Sequence, residues 1–268
     1  MLYIIARLYV TIKGGILTGY NDAFIIDEAT KNSLITADPK SAELIRPILR
    51  GKDIKRYTYD FANLYLICTF PSKHYDIDKY PAIRDYLLSF DKRRLAQTGE
   101  KNIDGIKGFN ARKKTSNKWF ETQDQINYSD DFNKLKIIYP NMTKYLPFYL
   151  DEEKFYTNQK CFIITGKHLG YLTAFLNSNL FKYCFRDSFP QLQGGTRELS
   201  KIFFEKIPIK EVSDSTNKLF EEKVFKLQKA IASNMECNSI EIEIDDMILD
   251  LYDLTTIEKN YIKSFSII

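Results

Sequence analysis

Residues 171–209 set the tightest limits on what this chain can fold into. Leu172, Phe175, Leu176, Leu180, Phe181 and Cys184 recur near helical spacing, so one face of this segment must be buried against other elements. The loop that follows, Gln191-Leu192-Gln193-Gly194-Gly195, is polar and leads into Thr196-Arg197-Glu198-Leu199. A second apolar segment, residues 202–207, ends at Pro208, where a regular element stops or changes character. Two packed elements therefore hold a flexible loop carrying Gln, Gly, Thr and Arg. Spacing alone leaves it as either a surface connector or a presented recognition loop.

The rest of the chain mixes strand and helix signals. Residues 3–12 read as a strand rich in Ile, Tyr and Val, broken at Gly14-Gly15. Thr18, Gly19 and Asn21 mark a turn that feeds a second apolar strand ending near Asp27. A short helix is expected at residues 41–45, then a turn at 47–57 with four cations, Arg50, Lys52, Lys55 and Arg56. Strands follow at 61–70, 135–139, 148–150 and 161–165, with an amphipathic helix opening at Pro81 that places Ile83, Tyr86, Leu87 and Phe90 on one face. The polar run Ser213-Asp214-Ser215-Thr216-Asn217 caps a helix from Lys218, striped by Leu219, Val224, Leu227 and Ile231. A last helix at 240–251 turns Ile244, Met247, Ile248 and Leu251 inward. The expected architecture is α+β: a mixed-sheet domain with packed helices over residues 1–210, then a helical appendage over 211–268.

Charge is unevenly spread. Between residues 92 and 118 there are nine Lys or Arg against only Glu100 and Asp104, whereas residues 236–258 hold eight acids and no Lys or Arg. The basic block suits phosphates; the acidic end would repel them. Gly99, Gly105 and Gly108 alternate with those cations, and Phe109, Trp119 and Phe120 are interleaved, a combination that fits either nucleic-acid contact or a solvated loop anchored by Trp119.

No catalytic constellation emerges. The chain lacks GxxxxGK[ST] and GxGxxG, and Asp38-Pro39-Lys40 falls short of the polar-Pro-Pro-aromatic motif that holds a flipped base. Glu152-Glu153-Lys154 and Glu221-Glu222-Lys223 match a nuclease triplet but sit in an expected turn and an expected helix. Cys68, Cys161, Cys184 and Cys237 are far apart and read as small core residues, and His74 and His168 have no nucleophile motif beside them, so no metal site is expected. Scattered thiols and an N-terminal apolar run interrupted by Arg7 point to a cytoplasmic protein.

Several segments, in order, resemble one family. Gly15-Ile16-Leu17-Thr18-Gly19-Tyr20-Asn21-Asp22-Ala23-Phe24-Ile25-Ile26-Asp27, Pro47-Ile48-Leu49-Arg50-Gly51-Lys52-Asp53-Ile54-Lys55-Arg56-Tyr57 and Leu64-Tyr65-Leu66-Ile67 look like the TaqI-like C-terminal specificity domain. Tyr80-Pro81-Ala82-Ile83, Lys136-Ile137-Ile138-Tyr139-Pro140, Leu176-Asn177-Ser178-Asn179-Leu180 and the stretch from Gly194-Gly195 to Ile207-Pro208 continue the likeness over roughly residues 12–210. The resemblance implies a DNA target-recognition domain, attached behind an N6-adenine DNA methyltransferase and, in fused restriction enzymes, a nuclease. It implies double-stranded DNA and catalytic domains, in cis or as a subunit, as partners, with no membrane. No cofactor is expected in this chain itself; S-adenosylmethionine and Mg2+ belong to the catalytic domains. On this reading cations such as Arg93, Arg94, Arg112, Lys113 and Lys114 position the duplex through its phosphates, Lys118 and Trp119 also contact DNA, and Gln191, Gln193 and Arg197, presented with Gly194 and Gly195, read base edges. The competing readings are a subunit-assembly module without base readout, and a stand-alone nuclease.

Overall fold

The computed structural model describes residues 2–5 and 9–264. Its centre is a four-stranded antiparallel sheet in the order Tyr149–Asp151, Lys136–Pro140, Cys161–Gly166, Val10–Gly14. Side chains alternate across this sheet with a period of two, and both faces are covered. Ile12, Ile137, Tyr139 and Ile164 face one hydrophobic core, and Ile138, Cys161 and Ile163 face the other. That explains why residues 136–140 read as an unbroken apolar strand: every position is buried.

On the first face lie helices Leu169–Asn177, Asn179–Phe185, Asp214–Ala232 and Asn238–Leu251, all contributing to one core. Helix Asp214–Ala232 crosses Leu169–Asn177 at Gly170, where a Cβ would come within 2.5 Å of the Glu221 backbone. Only a residue without a side chain permits that approach. The second face packs on a mixed sheet, in the order Tyr156–Thr157, Ile45–Leu49, Leu64–Ile67, Ile25–Asp27, and on helix Pro81–Leu88. The molecule is α+β.

Several local expectations are revised. The strand expected at 3–12 is two strands: Leu2–Ile4 pairs with Pro208–Lys210, and Val10–Gly14 joins the central sheet, with Tyr9 in a left-handed conformation between them; Arg7 lies outside the described residues. In place of the short helix expected at 41–45 there is a 3-10 turn, Pro39–Glu43, and Ile45–Leu49 is a strand despite Pro47. Pro47 lacks an N–H, but it pairs only with Leu64–Ile67, since pairing on the other edge begins at Ile48. Helix Glu28–Ala37, capped by the Asp27 carboxylate accepting from Thr30 N at 2.8 Å, had no clear apolar stripe to announce it. The expected continuous helix face from Leu172 to Cys184 is divided at Ser178, whose hydroxyl caps the second helix at Phe181 N, 3.1 Å away. Cys184 is exposed and Cys237 partly so, leaving only Cys68 and Cys161 as core thiols. Leu219 also faces outward, and Phe220 takes its place in the core.

Candidate nucleic-acid interface

The turn around residues 50–57 is a rigid cationic structure. The Asp53 carboxylate accepts hydrogen bonds from Arg50 N (2.8 Å), Nε (2.9 Å) and Nη2 (2.9 Å), and Asp53 N returns one to the Arg50 carbonyl. The bond to Asp53 raises the Arg50 pKa further, so its charge is permanent. Arg56 Nε donates to the carbonyl of Asn177 (3.1 Å), and its guanidinium pairs with Glu241. Asn177, fully buried, exchanges both amide bonds with Phe148, which ties the turn, the central sheet and the helices together.

This turn forms one wall of an open cleft of about 880 Å³. Arg50, Lys52, Lys55, Arg56, Lys144, Lys160 and Lys182 line it, together with Met142, Thr143 and Tyr145, and among the described residues no carboxylate does. Arg50, Lys55 and Arg56 have ion-pair partners in Asp53, Asp60 and Glu241. Lys52, Lys144, Lys160 and Lys182 make no ion pair among the described residues. Burial, reinforced by the Arg56 charge and opposed by Asp245, lowers the Lys182 ammonium to about 8. Four of the seven cations that line the cleft thus carry charge with no ion-pair partner among the described residues.

The glycine loop is built onto the cleft's rim. Leu192 N donates to the Thr196 carbonyl (2.7 Å) and Glu198 N to that of Pro190 (3.0 Å), closing a hairpin. Its second strand, Arg197–Glu198, pairs on its other edge with Met142–Thr143, which lines the cleft. Gln191, Gln193 and Gly194 are exposed, and a Cβ on Gly194 or Gly195 would meet nothing within 4 Å. Arg197 is placed differently from its expected base-reading role. It is only 9% exposed, and its guanidinium donates to the Phe189 carbonyl (3.1 Å) and to Asp187 (2.6 Å). Arg197 therefore staples the loop that presents the glutamines.

The basic block lies on a different segment, joined to the 17–19 turn through Arg112 on the Thr18 carbonyl and Gln123 N on that of Leu17. Arg112 is the main correction here. At 3% exposed, it donates to the carbonyls of Leu95, Thr18, Glu121 and Trp119, and burial lowers its pKa to about 10. A guanidinium committed to four carbonyls is an internal clamp, not a surface phosphate ligand. Arg93 is exposed but paired with Asp91 and Asp104, and Arg94 stacks over Tyr20 at 4.4 Å. Lys113, Lys114 and Lys118 are exposed. Trp119 is half-buried against Phe120, with Lys92 Nζ over its ring.

The acidic run at 236–258 is largely committed inside the chain. Glu241, Glu243, Asp246, Asp250 and Asp253 pair with Arg56, Lys223, Lys263, Lys259 and Lys210, and Asp245 accepts from Asn179. Among the described residues no cluster of three or more His, Cys, Asp or Glu side chains is placed to hold a metal, and no helix is long and apolar enough to cross a membrane. The four cations at 50–57 are visible in the sequence as a turn, without a signal that marks them as a site. Lys144, Lys160 and Lys182 are isolated in sequence and carried no signal.

Fold and cleft together define an α+β module that presents a hairpin loop over a cationic groove. The chain belongs to the TaqI-like C-terminal specificity domain family, whose model matches residues 46–209, more than half of its length. Among solved structures it is similar to the type IIL restriction-modification enzyme MmeI, which was solved in complex with DNA. The TM-score is 0.59 at 12% identity, over 97% of this chain and 36% of that one. It is also similar to the type IIG restriction endonuclease BpuSI, with a TM-score of 0.52 at 14% identity, over 93% of this chain and 31% of that one. The chain spans about a third of either protein. No curated protein matches it.

Proposed function

We propose that this chain is the sequence-specific DNA-recognition module of a restriction-modification enzyme, which holds duplex DNA for adenine N6 methylation, and for cleavage, by separate catalytic domains. The observation that carries this reading is the hairpin Gln191–Glu198 built, strand to strand, onto the wall of a cleft lined by seven cations. Family membership and a fold shared with an enzyme solved on DNA support it.

The roles follow from the chemistry. Lysines of the cleft hold phosphates and fix the register of the duplex, with Lys113, Lys114 and Lys118 adding long-range attraction. Gln191 and Gln193, exposed on the open side of the hairpin, offer both an amide donor and an acceptor, the pairing that suits adenine N6 and N7 in the major groove. One well-made contact of this kind discriminates by roughly 1–3 kcal/mol. Arg197 acts through the loop rather than on the base. S-adenosylmethionine and Mg2+ would serve the catalytic domains, and adenine would be extruded into their pocket while this module grips the flanking duplex.

The test uses the enzyme that carries this chain. Gln193→Ala should change or relax the methylated sequence, and Lys52→Gln with Lys160→Gln should weaken methylation of every site alike. If the glutamine variant kept the same site and lost only affinity, the loop would not be the reader.

A further inference from the structure

Residues 99–112 form a stiff finger with an apolar tip. Its stem is a ladder: Gly99 N donates to the Arg112 carbonyl (2.9 Å), Ala111 N to that of Glu100 (3.0 Å), Asn102 N to Asn110 Oδ1 (2.9 Å) and Ile103 N to the Phe109 carbonyl (2.7 Å). The tip is closed by Ile106 N to the Ile103 carbonyl and Phe109 N to the Ile106 carbonyl, both 3.1 Å, with Gly108 N on Asn102 Oδ1 at 3.0 Å. Arg112 clamps the base, Arg93 holds Asp104, and Arg94 lies 5.4 Å over the Phe109 ring. Ile103 is buried as an anchor, whereas Ile106 is 56% exposed. A Cβ on Gly105 or Gly108 would meet nothing within 4 Å, so the tip stands in open space.

A hydrophobic side chain held out by so many internal bonds is positioned for something. Its surroundings indicate what: Lys101 and Lys107 lie on the finger and Lys113 and Lys114 just beyond its base, all exposed and without an ion pair among the described residues, and of the segment's two acids Asp104 is paired with Arg93, leaving Glu100. An apolar tip on a net cationic finger complements a duplex, which is anionic at its rim and apolar in its base stack. We infer that Ile106 is a wedge that enters the DNA and unstacks a base step, an action independent of the loop's base reading. This inference rests on the DNA-recognition reading above. Unstacking one step also lowers the cost of extruding a neighbouring base, which links the finger to chemistry on a flipped adenine.

The test compares the full chain on a matched duplex and on the same duplex with one internal mismatch, by fluorescence anisotropy. A mismatched step is already partly unstacked, so a wedge should bind it about 10-fold tighter, equivalent to ~1.4 kcal/mol. Ile106→Ser should bind both duplexes equally, with an unchanged salt dependence because no charge is altered, and Ile106→Leu should restore the preference. Equal binding of both duplexes by the wild-type chain, or a preference that survives Ile106→Ser, would overturn the wedge and leave DNA recognition standing. Absence of salt-dependent binding to either duplex would overturn the recognition reading, and the wedge with it.

Discussion

The cleft makes a quantitative prediction about salt. Each phosphate neutralised on B-form DNA contributes about −0.9 to the slope of log affinity against log salt. If only the four lysines without ion pairs (Lys52, Lys144, Lys160 and Lys182) engage phosphates, the slope is about −3.6; if all seven cations of the cleft do, it is about −6.3. A fourfold rise in salt would then weaken binding between about 150-fold and about 6,000-fold. Replacing Lys52, Lys144 or Lys160 singly by Gln should make the slope shallower by about 0.9 each, and the triple variant by about 2.7. Anisotropy of a labelled random-sequence duplex, titrated at several salt concentrations, measures this directly. A wild-type slope shallower than about −2, or a triple variant with the wild-type slope, would refute the assignment of this cleft as the phosphate seat.

Three further outcomes follow. Lys182 has its pKa depressed to about 8, so it is mostly charged at pH 7 and mostly neutral by pH 9; duplex affinity should fall across that interval, and Lys182→Met should flatten the fall. Lys136 and Asp151 are a completely buried ion pair, and Lys136→Met would strand the carboxylate, at a cost of about 3–5 kcal/mol in urea unfolding, part of which Lys136→Met with Asp151→Leu should recover. Gly170→Ala would force helix Asp214–Ala232 away from Leu169–Asn177, with a loss of about 1–3 kcal/mol by the same assay; an unchanged midpoint would show that the crossing is looser than described.

What could be read from the sequence follows the range of the interactions involved. The central strands were legible because both their faces are buried, so Lys136–Pro140 and Cys161–Gly166 announce themselves as apolar runs. The Leu-Asn-Ser-Asn-Leu motif was visible as a pattern, but its cause was not. Asn177 serves the Phe148 backbone, Ser178 caps a helix and Asn179 docks on Asp245, contacts set by residues up to 66 positions away. The loop at residues 191–195 stands out by its composition, and its hairpin lies on the cleft's rim. Of the arginines expected to touch DNA, two are buried: Arg112 against four carbonyls, and Arg197 against the Phe189 carbonyl and the Asp187 carboxylate. Charge in a sequence does not say whether a guanidinium faces solvent or serves the backbone. Lys144, Lys160 and Lys182 converge with residues 50–56 only through the tertiary fold, and no spacing rule could have assembled them.

The most direct test of base reading by the hairpin is selection of bound duplexes from a random-sequence pool by the full chain. The wild-type chain should enrich one defined motif. Gln191→Ala with Gln193→Ala should relax one or two positions of that motif, whereas Lys52→Gln with Lys144→Gln and Lys160→Gln should lower recovery without altering it. An identical motif from the glutamine variant, or no motif from the wild-type chain, would contradict the account.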